Sequence, residues 1–236
     1  MLVAHHIHDH HRDVQGGALR AAVFGASDGL VSNALLILGV AGADVTASTV
    51  RVTGFVGLLA GAISMAAGEY VSLQAQRELI ESEIERERIA HAEEPEHEIE
   101  ELAELYIERG LTSEQAYELA TALMADPEVA LEVHTKEELG VTLNELPSPW
   151  IAAGSSFVSF IVGAAIPLVP WFFASGNLAI VLSMVLAVAG AALIGAILAA
   201  QTQRPPLRII SRQVGIAIGA GGISYLIGSI LGVAVA

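Results

Sequence analysis

The chain has 236 residues, 26 of them acidic against 11 basic, for a net charge of −15. A 53% hydrophobic content and a mean hydropathy of +0.59 fit a small polytopic membrane protein and argue against a soluble globule. The absence of cysteine excludes disulfides, zinc–thiolate sites and redox thiols. A strong acidic balance with no basic patch argues against a nucleic-acid partner.

Residues 1–18 form a polar lead carrying His5, His6, His8, His10 and His11. It reads as a metal-gathering arm or a passive tail. No cleavable signal peptide is visible, because the first apolar stretch contains Asp28 and so reads as a retained helix. That first span runs from about Leu19 to Ala41. An ionisable group within a span is costly and usually functional, and Asp28 must be protonated, paired or bound to a cation. The second span runs from about Val50 to Leu73. Met65 and Glu69 share one of its faces at a spacing of one turn, with Gly57 and Gly61 on about the same face and Ser64 close by. A thioether beside carboxylates is a mixed soft and hard ligand set, better suited to Fe²⁺ than to Mg²⁺ or Ca²⁺. Met65 taken alone reads as packing.

The acidic charge is concentrated next. From Glu78 to Glu145 there are 21 acidic residues and four basic ones, a net of −17, while the rest of the chain is +2. Hard carboxylate oxygens at that density suit divalent cations. The segment from Arg77 to Glu94 lacks helix breakers, so the second span is expected to continue as one long helix ending near Pro95. Pro95 opens a following helix with Ile99, Leu102, Leu105 and Tyr106 as its buried stripe, closed by Arg109-Gly110. Thr112 and Gln115 form a capping-box pattern for a third helix, Glu114 to about Ala125. Asp126-Pro127 starts a fourth, which stops at Gly140.

Spacing selects the carboxylates that can converge. Glu87, His91 and Glu94 fall at i, i+4, i+7 on one face; Glu98 and Glu101 share a face past the Pro95 corner; His134 and Glu138 pair at i, i+4. The three groups together are expected to surround one or more metal ions, although any one glutamate alone reads as solvated surface. The Glu94–His97 spacing also resembles a di-iron carboxylate motif, broken by Pro95.

Between Leu146 and Gln203 the chain runs 58 residues without Asp, Glu, Lys or Arg. A bilayer core about 30 Å thick needs roughly 20 apolar residues per helical crossing, so this run holds two crossings. They are expected at Pro149–Phe172 and Leu178–Ala200, with a fifth at Gln213–Val235. The resulting fold class is all-α, five transmembrane helices with a helical insert between the second and third. The divisions are 1–18, 19–77 (spans one and two), 78–148 (the insert) and 149–236 (spans three to five). Arg12, Arg20, Arg77, Arg86, Arg88, Arg204, Arg208 and Arg212 all fall on one side of such a topology. The positive-inside rule then places the N-terminus and the insert in the cytoplasm.

The segments Ala22-Val23-Phe24-Gly25-Ala26-Ser27-Asp28-Gly29-Leu30-Val31-Ser32-Asn33 and Gly61-Ala62-Ile63-Ser64-Met65-Ala66-Ala67-Gly68-Glu69-Tyr70-Val71-Ser72 resemble the vacuolar iron transporter family, as does Glu137-Glu138-Leu139-Gly140. The resemblance extends over nearly the whole chain after the first dozen residues. It implies no enzyme but a homodimeric, proton-coupled exporter of Fe²⁺ from the cytosol, with Mn²⁺, Co²⁺ and Zn²⁺ as further substrates and no prosthetic group. It matches Asp28 and Met65 to a path at the dimer interface. It matches Glu98, Glu101 and Glu138 to the glutamates of a cytoplasmic metal-binding domain, with Glu87 a further match. Two departures stand out. The partner expected three residues after Glu87 falls on Ala90, leaving His91 or Glu94 to substitute, and His134 stands where the plant relative has a methionine. An Ala/Gly-rich, short-tailed chain leans bacterial, with the plasma membrane as its site and detoxification as its task; a vacuolar membrane is the alternative. The competing readings are a membrane-anchored di-iron, ferritin-like store and a metal sensor.

Overall fold

The computed structural model describes residues 17–138, 140 and 147–235. The histidine-rich lead, Leu139 of the Glu137–Gly140 motif and the segment 141–146 lie outside the described residues. Those described form eight α-helices and one short 3₁₀ turn, without a strand. They are α1 (Gly17–Gly42), α2 (Ala47–Glu93), α3 (Pro95–Glu108), α4 (Ser113–Met124), α5 (Pro127–Glu138), α6 (Pro149–Leu168), α7 (Gly176–Thr202) and α8 (Pro206–Val235); the 3₁₀ turn Val169–Phe172 extends α6. Five helices are long and apolar enough to cross a membrane. The chain divides into two compact units, residues 1–71 with 147–236, and residues 72–146.

In the first unit α1 is the central helix, flanked by α6, α7 and α8. Glycines let it approach α6 at backbone distance. A Cβ on Gly25 would lie 2.7 Å from the Ser156 carbonyl oxygen, one on Gly29 2.3 Å from that of Phe160, and one on Gly163 2.2 Å from that of Ala26. This is the small-residue logic of helix packing in lipid, where close approach replaces a hydrophobic driving force. The glycines of α2 act differently. Leu36 fills the notch at Gly57 and Phe160 the notch at Gly61, so side chains, not a second backbone, occupy the small-residue face.

Two buried polar side chains of this unit bond to backbone carbonyls: Asn33 Nδ2 donates to Ala164 O at 2.7 Å, and Ser183 Oγ donates to Pro167 O at 2.7 Å. Most outward positions are apolar, Ile63, Val71, Val158 and Leu193 among them, as a hydrocarbon solvent requires. Tyr70 and Trp150 meet at one end of the spans, ring centroids 4.6 Å apart and planes tilted by 50°, and Phe173 stands 87% exposed at the other. Aromatic rings at both ends are the belt expected of a spanning bundle. The fifth span starts at Pro206, seven residues before the expected Gln213. Proline at the first helical position offers no N–H to leave unpaired, so the helix forms through Arg208 and Arg212.

The second unit contains the C-terminal part of α2 with α3, α4 and α5. Its core is Leu102, Ala103, Ala116 and Ala120, with Ile99, Leu105, Tyr106, Leu111, Leu123 and Val133 packed on them. Local signals place every corner. Thr112 and Gln115 form the reciprocal capping box, Gly110 turns the chain at φ +102°, and Asp126 Oδ1 accepts from the Glu128 N–H at 3.0 Å. Arg109 pairs with Glu137, joining the end of α3 to α5.

Candidate metal centre

Within residues 72–146, four side chains from three helices converge. Glu87 and His91 stand one turn apart on α2, Glu98 lies in the first turn of α3, and His134 comes from α5. One ligand atom from each lies within 4.8 Å of all the others. The sequence positions them simply: i, i+4 spacing aligns Glu87 with His91, and Pro95 turns the chain so that Glu98 follows one turn later.

His134 Nδ1 is 2.8 Å from Glu87 Oε1, 3.5 Å from Glu98 Oε2 and 3.6 Å from Glu138 Oε1. His91 Nε2 is 3.2 Å from Glu87 Oε1 and 3.8 Å from Glu98 Oε2. The two imidazoles meet edge to face, centroids 4.5 Å apart. His134 is fully buried and Glu98 is 5% exposed. Yet Glu87 Oε1, His91 Nε2 and both His134 nitrogens are buried without a hydrogen-bond partner. The separations are short but the directions do not suit an N–H pointing at an oxygen. A buried polar atom left so costs about 1–3 kcal/mol, and several donors gathered about one point form an arrangement that a cation satisfies. Two imidazoles with two or three carboxylates suit a borderline divalent ion better than Mg²⁺ or Ca²⁺.

The same crowding moves protons. Glu98 is pushed up to about 7, first by burial, then by the charge of Glu87 and a hydrogen bond shared with it, then by Glu101 and Glu138. Glu138 is also pushed up to about 7, by burial and then by Glu87 and Glu101. Burial, seconded by His91, holds His134 below its ordinary value against the opposing pull of Glu87. Near neutral pH the imidazole of His134 is therefore neutral and able to ligate.

Other sequence candidates fall elsewhere. Glu101 is exposed and outside the four, though its charge reaches Glu98 and Glu138. Glu94 does not share the site of Glu87 and His91, contrary to the i, i+7 expectation. The residue before a proline is driven from helical geometry, and Glu94 takes φ −133°, ψ 54° with its side chain exposed. His97 is likewise exposed, so the Glu94–His97 pair does not join the cluster. Among the described residues no comparable group of three or more imidazoles and carboxylates occurs in the membrane unit. There Asp28 is exposed on α1, Met65 is half-buried against the core, and Glu69 is ion-paired with Arg20. Helical spacing alone does not pair Arg20 with Glu69; the signal in the sequence is a cation opening one span and an acid closing its antiparallel neighbour.

The VIT family profile matches residues 19–229. A protein named vacuolar iron transporter from Acanthamoeba castellanii is 39% identical over 181 residues, covering 74% of this chain and 66% of that protein. Vacuolar iron transporter 1 of Arabidopsis thaliana is 31% identical over 173 residues, covering 72% and 67%. Vacuolar iron transporter 2 of Oryza sativa is 30% identical over 158 residues, covering 67% and 64%. The match thus spans about two thirds of the length of these relatives.

Proposed function

The chain belongs to the VIT family, and from that premise we propose that it is a proton-coupled antiporter moving Fe²⁺, with Mn²⁺, Co²⁺ and Zn²⁺ as further substrates, out of the cytosol. The insert, residues 78–148, lies on the cytoplasmic side and collects the ion. Glu87, His91, Glu98 and His134 hold it, with Glu138 at the edge and Glu101 supplying negative potential. The ion then passes to Glu69, Met65 and Asp28, where a proton replaces it.

Asp28 carries the transport reading. It is an exposed carboxylate in the middle of a span whose other exposed positions, beyond Arg20 at its start, are apolar. Its glycine neighbours, Gly25 and Gly29, are committed to α6, and that contact fixes the rotation of α1. A carboxylate facing hydrocarbon has a large cost, so this face must meet a second chain or a water-filled path. Two chains related by a two-fold axis, each presenting α1, supply both, which favours a homodimer. Alternate occupancy of one carboxylate by a proton or a metal is the minimal coupling device.

Glu69 enters this scheme already paired. The guanidinium of Arg20 is paired with Glu69 Oε1, so an ion that takes that oxygen displaces the Arg20 contact.

The test uses the full chain in proteoliposomes with a metal-quenched dye, a pH reporter and an imposed proton gradient. Gradient-driven Fe²⁺ entry with opposite proton movement is expected, lost in Asp28→Asn while the insert still binds metal. Proton-coupled flux that survives Asp28→Asn rejects the mechanism. Metal binding without flux in either direction moves the reading to a tethered store or sensor.

A further inference from the structure

The connection between α7 and α8 carries a second charged feature, of opposite sign and unrelated to the metal cluster. A cleft of about 600 Å³ is lined by Thr202, Arg204, Pro205, Arg208, Ile209 and Arg212. Arg208 and Arg212 lie one turn apart on α8, and Arg204 reaches the same cleft from the connection, where Gln203 adopts a left-handed backbone at φ +52°. All three arginines are exposed, and none makes an ion pair among the described residues. No partner is available nearby in sequence either: from Leu146 to the last residue the chain has these three arginines and no Asp or Glu. The other arginines described in the membrane unit each have an acceptor, Arg20 the Glu69 carboxylate and Arg51 the Trp171 carbonyl at 3.4 Å. The positive-inside bias accounts for cations on this side of the membrane; it does not account for three of them converging unpaired on one cleft.

The location identifies the anion. Thr202 closes one span and Pro206 opens the next, so the cleft lies where two helices leave the hydrocarbon. The first-turn N–H groups of α8 lack helical acceptors and add positive potential there. Ile209 lines the cleft, and Leu207 beside it is 80% exposed. Guanidinium groups match phosphate oxygens as forks, and adjacent apolar side chains match acyl chains. We propose that this cleft binds the phosphate-bearing headgroup of an anionic phospholipid, anchoring the α7–α8 connection to the membrane surface.

The experiment is native mass spectrometry of the full chain released from detergent micelles doped with phosphatidylglycerol or with phosphatidylcholine. Each arginine near an anionic lipid contributes roughly a fivefold change in binding, so Arg208→Gln with Arg212→Gln is expected to weaken phosphatidylglycerol retention by about 30-fold. Phosphatidylcholine is retained weakly by either protein. Arg77→Gln, at a cation already paired with Glu81, leaves retention unchanged. The proposal is overturned if phosphatidylcholine binds as well, if the double variant retains phosphatidylglycerol at wild-type affinity, or if Arg77→Gln weakens it as much. Displacement of the lipid by millimolar inorganic phosphate overturns it in favour of a free-phosphate site.

Discussion

The substitution Glu98→Gln separates the cost of assembling the cluster from its use. Glu98 is buried and titrates near 7 in the fold, against an ordinary value of 4.5. A carboxyl raised in this way favours the folded state below the unfolded value. That contribution is lost as pH rises from about 4.5 through about 7, because the fold holds a proton that the unfolded chain has released. Once both states are ionised, the loss is on the order of 3 kcal/mol. Glutamine preserves shape and neutrality and removes this dependence. At pH 8 without metal, Glu98→Gln should therefore slow opening of α3 and α5, read by native-state hydrogen exchange on the full chain, by on the order of 100-fold. Below pH 4.5 the two proteins should exchange alike. Metal narrows the difference: at 100 times its dissociation constant an ion stabilises the wild type by about 2.7 kcal/mol, and the variant, one ligand short, gains less. Wild-type protection that is flat from pH 4.5 to 8, or faster opening of Glu98→Gln at pH 8 without metal, refutes the reasoning.

Three further outcomes follow from other contacts. Gly29→Ala places a methyl 2.3 Å from the Phe160 carbonyl oxygen, with backbone and not a flexible side chain in the way; it should cost about 3 kcal/mol and lower the melting temperature in detergent, and an unchanged transition contradicts the close packing. Arg20→Gln frees Glu69; since such a partly exposed pair is worth up to about 1 kcal/mol, the KM for Fe²⁺ in vesicles should fall by up to about fivefold, whereas an increase assigns Arg20 a different role. His91→Ala with His134→Met removes both imidazoles from the cluster. Nitrogen donors favour Zn²⁺ and Co²⁺ over Mn²⁺, so titration calorimetry should report at least about tenfold weaker Zn²⁺ binding, a loss typical even of changes beyond the first ligands, with Mn²⁺ less affected; equal losses for both ions remove the histidines from selectivity.

The amino-acid sequence by itself determined whatever depends on short-range patterning. Span length follows from hydrocarbon thickness, the continuous α2 from the lack of breakers before Pro95, and the insert corners from Thr112–Gln115, Gly110 and Asp126-Pro127, because caps and turns act over a few residues. Glu87 with His91, and His134 with Glu138, were legible for the same reason: one helical turn is a local distance. Tertiary structure decided which local pairs meet. It joined Glu98 to both histidines and left Glu101 at the periphery, since that depends on how α3 and α5 pack about Leu102, Ala103, Ala116 and Ala120. It excluded Glu94, whose register ends where Pro95 bends the backbone. It also paired Glu69 with Arg20 across 49 positions and gathered Arg204, Arg208 and Arg212 around one cleft. Helical periodicity assigns a residue to a face, but the identity of what that face meets is a property of packing between helices, which no local pattern encodes.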